Sequence, residues 1–205
     1  MLIGLTGKSC SGKNRVGKEL EDLGFEVWDM DKVAHGLQDQ CLSLIEATFG
    51  PESVYCSEDG IFHCNRKYVG SIVFNNPQKL KELEDILYPR LINLILQKEA
   101  SEPDKILVIN GALLYRSGLD VYCKALIYVD APYEVREERA ISRDSIDTET
   151  FKKRDNAQKD VDFRTVSYRC PLYVVDNSSA NWELVHRLLL QICDKIGMIP
   201  FKEHI

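Results

Sequence analysis

The chain of 205 residues has a formal net charge of −6, with 44% hydrophobic and 28% charged residues. This balance is that of an ordinary globular protein, and the length suits one α/β domain with insertions. A net acidic chain lacks the basic face of a general nucleic-acid binder, and no apolar run is long enough to span a membrane. We therefore expect neither nucleic acid nor a membrane as a partner.

The start of the chain and its cysteines indicate a location. The opening MLIGLTG lacks the basic start and the long apolar stretch of a secretion signal. The seven cysteines include no C-x-x-C pair, which disfavours a zinc site around Cys56, His63 and Cys64. Free thiols in a reducing compartment explain them better, so we expect a cytoplasmic protein.

Five β-prone segments alternate with segments of helical periodicity. The predicted strands are residues 1–6, 25–28, 105–110, 125–130 and 172–176. The predicted helices lie within residues 13–23, 33–49, 66–100, 133–141 and 182–196, and residues 53–63 predict a hairpin. Pro89 is expected to kink its helix or to end it at Tyr88. Strands alternating with helices imply a parallel, doubly wound sheet.

Between the first predicted strand and helix, residues 7–14 read GKSCSGKN. They match the phosphate-loop pattern G-x-x-x-x-G-K, whose glycines let successive backbone N–H groups face phosphate oxygens. The helix N-terminus adds its positive dipole end, and Lys13 supplies a cation for the β and γ phosphates of ATP. The predicted ATP-binding residues of this loop are Gly7, Lys8, Ser9, Cys10, Ser11, Gly12, Lys13 and Asn14.

Two positions near this loop concern a metal ion. Asn14 stands where Ser or Thr usually binds Mg²⁺. Its amide oxygen can bind a hard cation, but a metal ion repels its NH₂ group. Asp29 and Asp31 end the second predicted strand, at the edge of a parallel sheet where ligands gather. One of them can accept a proton from a hydroxyl nucleophile, and Asp29 can hold Mg²⁺ through water. Alternatively, they cap the next helix or lie in a solvated turn.

The order and spacing of several segments resemble the dephospho-CoA kinases, P-loop enzymes that add the final phosphate of coenzyme A. The segments are IGLTGKSCSGKN, VWDMDKVAH, NRKYVGSIVFNNPQKLKELEDILYPRLI, INGALLYRSGLD and ALIYVDAPYEVREERAISRD, followed by Gln158 and Asn177. The resemblance spans nearly the whole chain. It implies a three-layer P-loop fold with a five-stranded parallel sheet and helices on both faces.

The resemblance also implies one kinase domain over residues 1–205, with three parts. The nucleotide-binding core would comprise residues 1–50, 105–140 and 170–205. A helical substrate-binding insertion would cover about residues 60–104, and the lid would be residues 141–169. The implied partners are ATP with Mg²⁺ and the small-molecule substrate dephospho-CoA, and the implied state is a monomer or a weak homo-oligomer.

Residue roles follow from the same resemblance. Lys13 would stabilise the transferring phosphoryl group, and Asp31 would take the proton from the ribose 3′-hydroxyl. Arg139 and Arg143, one helical turn apart, would clamp phosphates, and Asn177 would lie on the adenine side. The implied substrate contacts, besides Asp31, are Thr6, Arg66, Leu113 and Leu114, of which the two leucines are also read as ordinary core residues.

The chain departs from the family pattern at several positions. They are Lys8 in place of Gly, Asn14 in place of Ser or Thr, Tyr88 in place of His, Asn110 in place of an acidic residue, Ala112 in place of Pro and Arg116 in place of an acidic residue. These departures leave two alternatives open. One is another small-molecule P-loop kinase, acting on a nucleoside or nucleotide. The other is a nucleotide-binding homologue with weakened catalysis.

Overall fold

A computed structural model describes residues 1–74, 76–179 and 181–198. Residues 199–205, which were predicted to belong to the core, lie outside the described residues. The chain separates into two compact units, one formed by Met1–Asp29 with Ser101–Ile205 and the other by Met30–Ala100. Among the described residues, no helix combines the length and hydropathy that crossing a membrane requires.

The first unit contains a five-stranded sheet. Its strands are β1 (Leu2–Thr6), β2 (Glu26–Asp29), β5 (Leu107–Asn110), β6 (Ala125–Asp130) and β7 (Leu172–Asp176). They are all parallel, in the order β2-β5-β1-β6-β7. The predicted fold class is confirmed, and each predicted strand lies within two residues of the observed one. The helices of this unit are α1 (Lys13–Asp22), α6 (Leu114–Ser117), α7 (Tyr133–Asp144), α8 (Thr148–Asn156) and α9 (Trp182–Ile196).

The central strand β1 is buried along its whole length and delivers the chain to the phosphate loop. Ile3 and Leu5 pack in a core cluster with Val16 of α1 and Leu189 of α9. A parallel strand covered by helices cannot present a polar face, so its sequence is a continuous apolar run. This packing fixes the strand end from which the loop begins.

The described part of the second unit contains four α-helices and a hairpin. The helices are α2 (Met30–Gln40), α3 (Leu42–Phe49), α4 (Arg66–Val73) and α5 (Pro77–Ser101), whose last residue belongs to the first unit. The hairpin pairs β3 (Val54–Cys56) with β4 (Phe62–Cys64) and confirms the predicted one. The helical stretch expected within residues 33–49 is observed as two helices, α2 and α3, separated at the buried Cys41.

Pro89 does not end a helix at Tyr88, since α5 continues through it. Its buried leucines, Leu83, Leu87 and Leu91, continue at four-residue spacing on both sides of the proline. Pro89 itself is exposed, and the carbonyl that loses its N–H partner belongs to the exposed Asp85, where water can replace that donor. Burial of one continuous face therefore outweighs one lost hydrogen bond on the other.

Gly4 lies where β1 leaves no room for a side chain. A Cβ there would lie 2.0 Å from Leu126 Cδ2 and 2.8 Å from Leu114 Cδ1, and both leucines are fully buried. We expect Gly4→Ala to lower the free energy of unfolding by about 2 kcal/mol through overpacking. Gly36→Ala in α2 meets no atom within 4 Å and should be neutral or stabilising. Urea denaturation measures both, and equal effects would contradict the close packing of β1.

Candidate active site

The phosphate loop, residues 7–14, connects β1 to α1 in a tight curl. Gly7, Cys10 and Gly12 have φ values of 151°, 61° and 100°. A Cβ on Gly7 would lie 2.4 Å from the Val129 carbonyl oxygen, and one on Gly12 would lie 2.3 Å from Asn177 Nδ2. The two glycines are therefore required both for their backbone conformation and for the space around them.

The carbonyl oxygens of the loop are held by side chains from later in the chain. Arg139 Nη1 donates to the carbonyls of Cys10 (3.4 Å) and Ser11 (3.3 Å), and its Nη2 donates to that of Asn177 (2.9 Å). Asn177 is itself buried, and its Nδ2 donates to the Ser11 carbonyl at 2.8 Å. The two residues expected to contact the nucleotide thus brace the loop directly in this structure.

Arg136 completes this set of donors. Its side chain is 5% exposed; its Nε donates to the Ala131 carbonyl at 3.0 Å, and its Nη1 donates to the Ser9 carbonyl at 3.4 Å. The same Nη1 lies 2.7 Å from a carboxylate oxygen of Asp155, within the segment expected to form the lid. Arg136 was not among the site residues predicted from the sequence. Its spacing of three residues from Arg139 on one helix was the available signal.

The second predicted clamp, Arg143, is more exposed. Its Nε lies 2.7 Å from Asp144 Oδ1, and its side chain is 62% exposed. Hydrogen bonds from Arg143 and Arg154 lower the pKa of Asp144 to about 2. A cavity of about 600 Å³ lies beside the loop, and its lining includes Arg139 and Arg143 together with Cys10, Gly12, Ser178 and Ser179. This volume is within the range of small-ligand sites.

The edge of the sheet beside the loop carries two amides and a carboxylate. Asn110 Nδ2 donates to Asn14 Oδ1 at 3.2 Å, while Asn110 Oδ1 is buried and has no hydrogen-bond partner among the described residues. Asp29 on β2 is the register partner of Asn110 on β5. These oxygen donors fit a Mg²⁺ ion held mainly by nucleotide phosphates and water, because one carboxylate and neutral amides neutralise little of its charge.

The remaining predicted residues of the first unit differ in exposure. Thr6 ends β1 and is fully buried, and Leu114 opens α6 and is also fully buried. Leu113 precedes that helix and is partly exposed. The substrate contacts expected of all three stay predictions.

Two predicted residues belong to the second unit. Asp31 lies in the first turn of α2 and is exposed. Arg66 opens α4, donates to the His35 carbonyl at 2.8 Å and pairs with Asp39. Burial alone would raise the pKa of Asp39, but hydrogen bonds from the Cys64 backbone and from Arg66 lower it. Arg66 therefore lies in a fixed position within its own unit.

Removing Arg136 should cost more stability than removing Arg143. Arg136→Met leaves the partly buried Asp155 without this cation, so we expect a loss of about 3 kcal/mol in the free energy of unfolding. Arg143→Met breaks an exposed pair and should change it by less than about 1 kcal/mol. Urea denaturation followed by circular dichroism measures both values. Similar losses in the two variants would contradict the bracing role of Arg136.

Comparisons with known proteins agree on one family. The sequence profile described as dephospho-CoA kinase matches residues 1–182. A dephospho-CoA kinase from Fusobacterium nucleatum is 36% identical over 155 residues, which are 75% of this chain and 78% of the relative. One from Aquifex aeolicus is 35% identical over 183 residues, covering 87% of this chain and 89% of the relative.

A solved structure of dephospho-CoA kinase from Campylobacter jejuni matches with a TM-score of 0.65 and 25% identity, over 95% of this chain and 96% of the other. A Thermus thermophilus protein, TT1252, matches with a TM-score of 0.77 and 25% identity, over 95% of this chain and 97% of the other. The phosphate loop, the sheet order and these matches together place the chain in the dephospho-CoA kinase family.

Proposed function

We propose that the chain transfers the γ-phosphate of ATP to the ribose 3′-hydroxyl of dephospho-CoA. The main support for ATP binding is the curled phosphate loop, whose carbonyls accept hydrogen bonds from Arg136, Arg139 and Asn177. Holding these carbonyls fixes the curl of the loop, the conformation in which a phosphate loop presents N–H groups to an anion; the Ser9 N–H itself donates to Gln158 Oε1. The names of the relatives support the choice of acceptor.

The loop and Lys13 would act on the transferring phosphoryl group. Lys13 is the first residue of α1, so its side chain starts at the positive end of the helix dipole. Phosphoryl transfer depends on positioning and charge neutralisation more than on covalent help from the protein. Arg139 and Arg143 would add positive charge from the side of the cavity that they line.

Asp31 would be the general base. It follows the end of β2 by two residues and is exposed. In the proposed step the 3′-oxygen forms a bond to the γ-phosphorus, the bond from that phosphorus to the β–γ bridging oxygen breaks, and ADP leaves. The proton of the 3′-hydroxyl passes to the Asp31 carboxylate.

Mg²⁺ would be held at the edge of the sheet. Asn14 would offer its amide oxygen, and Asp29 would hold the ion through water. The ion would supply neutralisation of the charge on the ATP phosphates. Thr6, Arg66, Leu113 and Leu114 would contact the acceptor, with residues 141–169 as the lid. We also propose that the protein is a cytoplasmic monomer or weak homo-oligomer that binds no nucleic acid. Its seven free thiols suit a reducing compartment.

The acceptor assay tests this proposal. The purified protein with ATP and Mg²⁺ should phosphorylate dephospho-CoA at the 3′-position and leave nucleoside monophosphates unchanged, as measured by mass spectrometry. Asp31→Asn should lower kcat by about 100-fold or more, with ATP affinity nearly unchanged. Asp85→Asn, which alters an exposed aspartate of α5, is the matched control.

Three results would contradict this proposal. Phosphorylation of a monophosphate alone would assign the chain to another small-molecule kinase. Binding of ATP without turnover at any Mg²⁺ concentration would favour a homologue with lost catalysis. An equal loss of kcat and ATP affinity in Asp31→Asn would count against Asp31 as the base.

The amide pair gives a prediction about the metal. Asn14→Ser replaces an amide, already bonded to Asn110, with a hydroxyl of the type that usually binds Mg²⁺. We expect ATP to bind this variant at a lower Mg²⁺ concentration, and Asn110→Asp combined with it should strengthen the effect by adding a carboxylate. Calorimetric titration of ATP at several Mg²⁺ concentrations measures this without turnover. An unchanged Mg²⁺ requirement would show that metal binding does not depend on these positions.

A further inference from the structure

Three consecutive residues of the phosphate loop each contact the lid. Lys8 Nζ lies 3.3 Å from Asp155 Oδ1 and 3.4 Å from Asp162 Oδ2. The Ser9 backbone N–H donates to Gln158 Oε1 at 2.7 Å. Cys10 packs with Phe151 and Ala140 in a small buried cluster. The lid is therefore bound to the loop itself by an ion pair, a hydrogen bond and an apolar contact.

The charges around these contacts balance. Three cations, Lys8, Arg136 and Arg164, and three carboxylates, Asp130, Asp155 and Asp162, line one cavity of about 260 Å³. Lys8 and Arg136 share Asp155, and Arg164 pairs with Asp130 and Asp162. Every cation of this group has a carboxylate from the same chain. The lid is thus held by the protein's own charges and needs no phosphate to neutralise them.

Lys8 is the member of this group that lies in the loop. Its side chain is 12% exposed, and those of Asp155 and Asp162 are 16% and 18% exposed, so the pairs are shielded from solvent. Burial alone would raise the pKa of Asp162, but a hydrogen bond from the Arg164 backbone and the charge of Lys8 lower it. A glycine at this position would offer no cation to either carboxylate.

We infer that Lys8 is a positioning residue that docks the lid on the phosphate loop before a nucleotide binds. The lid then covers the loop in the free protein, and nucleotide binding changes its position little. This inference rests on the proposed function for its effect on turnover, whereas the docking itself can be measured without any substrate.

Hydrogen–deuterium exchange of the full chain tests the docking. In the nucleotide-free protein, the amides of residues 148–162 should be protected, and a non-hydrolysable ATP analogue should add little protection. Lys8→Met keeps the length of the side chain and removes its charge, and we expect about tenfold faster exchange in this segment. Lys8→Arg keeps the charge and should restore most of the protection.

The matched control is Lys18→Met in α1, which removes a 65% exposed lysine paired with Asp22. Its lid exchange should equal that of the parent protein. Asp162→Asn should accelerate exchange as Lys8→Met does, and the double variant should add little, because both changes break the same pair. Thermal unfolding of each variant separates local release of the lid from a general loss of stability.

Two results would overturn the inference. One is an unprotected lid in the nucleotide-free parent protein, and the other is equal lid exchange in Lys8→Met and Lys18→Met. If docking is confirmed, Lys8→Met should raise KM for ATP, with a smaller change in kcat. If the exchange data hold and no acceptor is phosphorylated, the docking stands and the proposed reaction fails.

Discussion

The phosphate loop depends on the restraint of its own carbonyl oxygens. A loop that turns successive N–H groups toward one point must turn its carbonyls elsewhere, and a buried carbonyl without a donor is costly. Here the carbonyls of Ser9, Cys10 and Ser11 receive donors from Arg136, Arg139 and Asn177. All three donors come from more than 120 residues later in the chain. The nucleotide site is therefore formed only when the first and last parts of the core have folded together.

This arrangement gives the arginines of α7 different tasks. Arg136 is buried and contacts both the Ser9 carbonyl and Asp155, whereas the exposed Arg143 pairs with its neighbour Asp144. Arg139 lies between them, with its guanidinium on the loop and its side chain in the wall of the cavity. The three arginines of α7 thus differ in exposure, from the buried Arg136 to the exposed Arg143 at the cavity.

The edge of the sheet shows how departures from a family pattern can be coupled. Asn14 and Asn110 lie 96 positions apart in the sequence, yet their side chains form a hydrogen bond. A hydroxyl and a carboxylate at these positions would provide oxygen ligands for a metal ion. Two amides instead can form a hydrogen bond with each other. The carboxylate of Asp29 lies on the neighbouring strand, in register with Asn110. The negative charge at this edge therefore comes from Asp29 on β2 and not from position 110 on β5.

The sequence by itself determined the succession of strands and helices along the chain, the position of the phosphate loop and the family. Buried parallel strands must be apolar runs, and a loop that cradles phosphates must place glycines where no side chain fits. The expectation that a proline ends a helix failed at Pro89, because the burial of Leu83, Leu87 and Leu91 on one face keeps that helix continuous.

Only the tertiary structure decided which side chains meet. The resemblance implied that Arg139 and Arg143 would clamp phosphates, and the fold adds that Arg139 also braces the loop while Arg143 is exposed. Lys8 was interpreted as a loop substitution, and the fold placed it between the carboxylates of Asp155 and Asp162. Contacts between residues more than a hundred positions apart depend on how the strands are ordered and packed, and no local pattern in the chain encodes them.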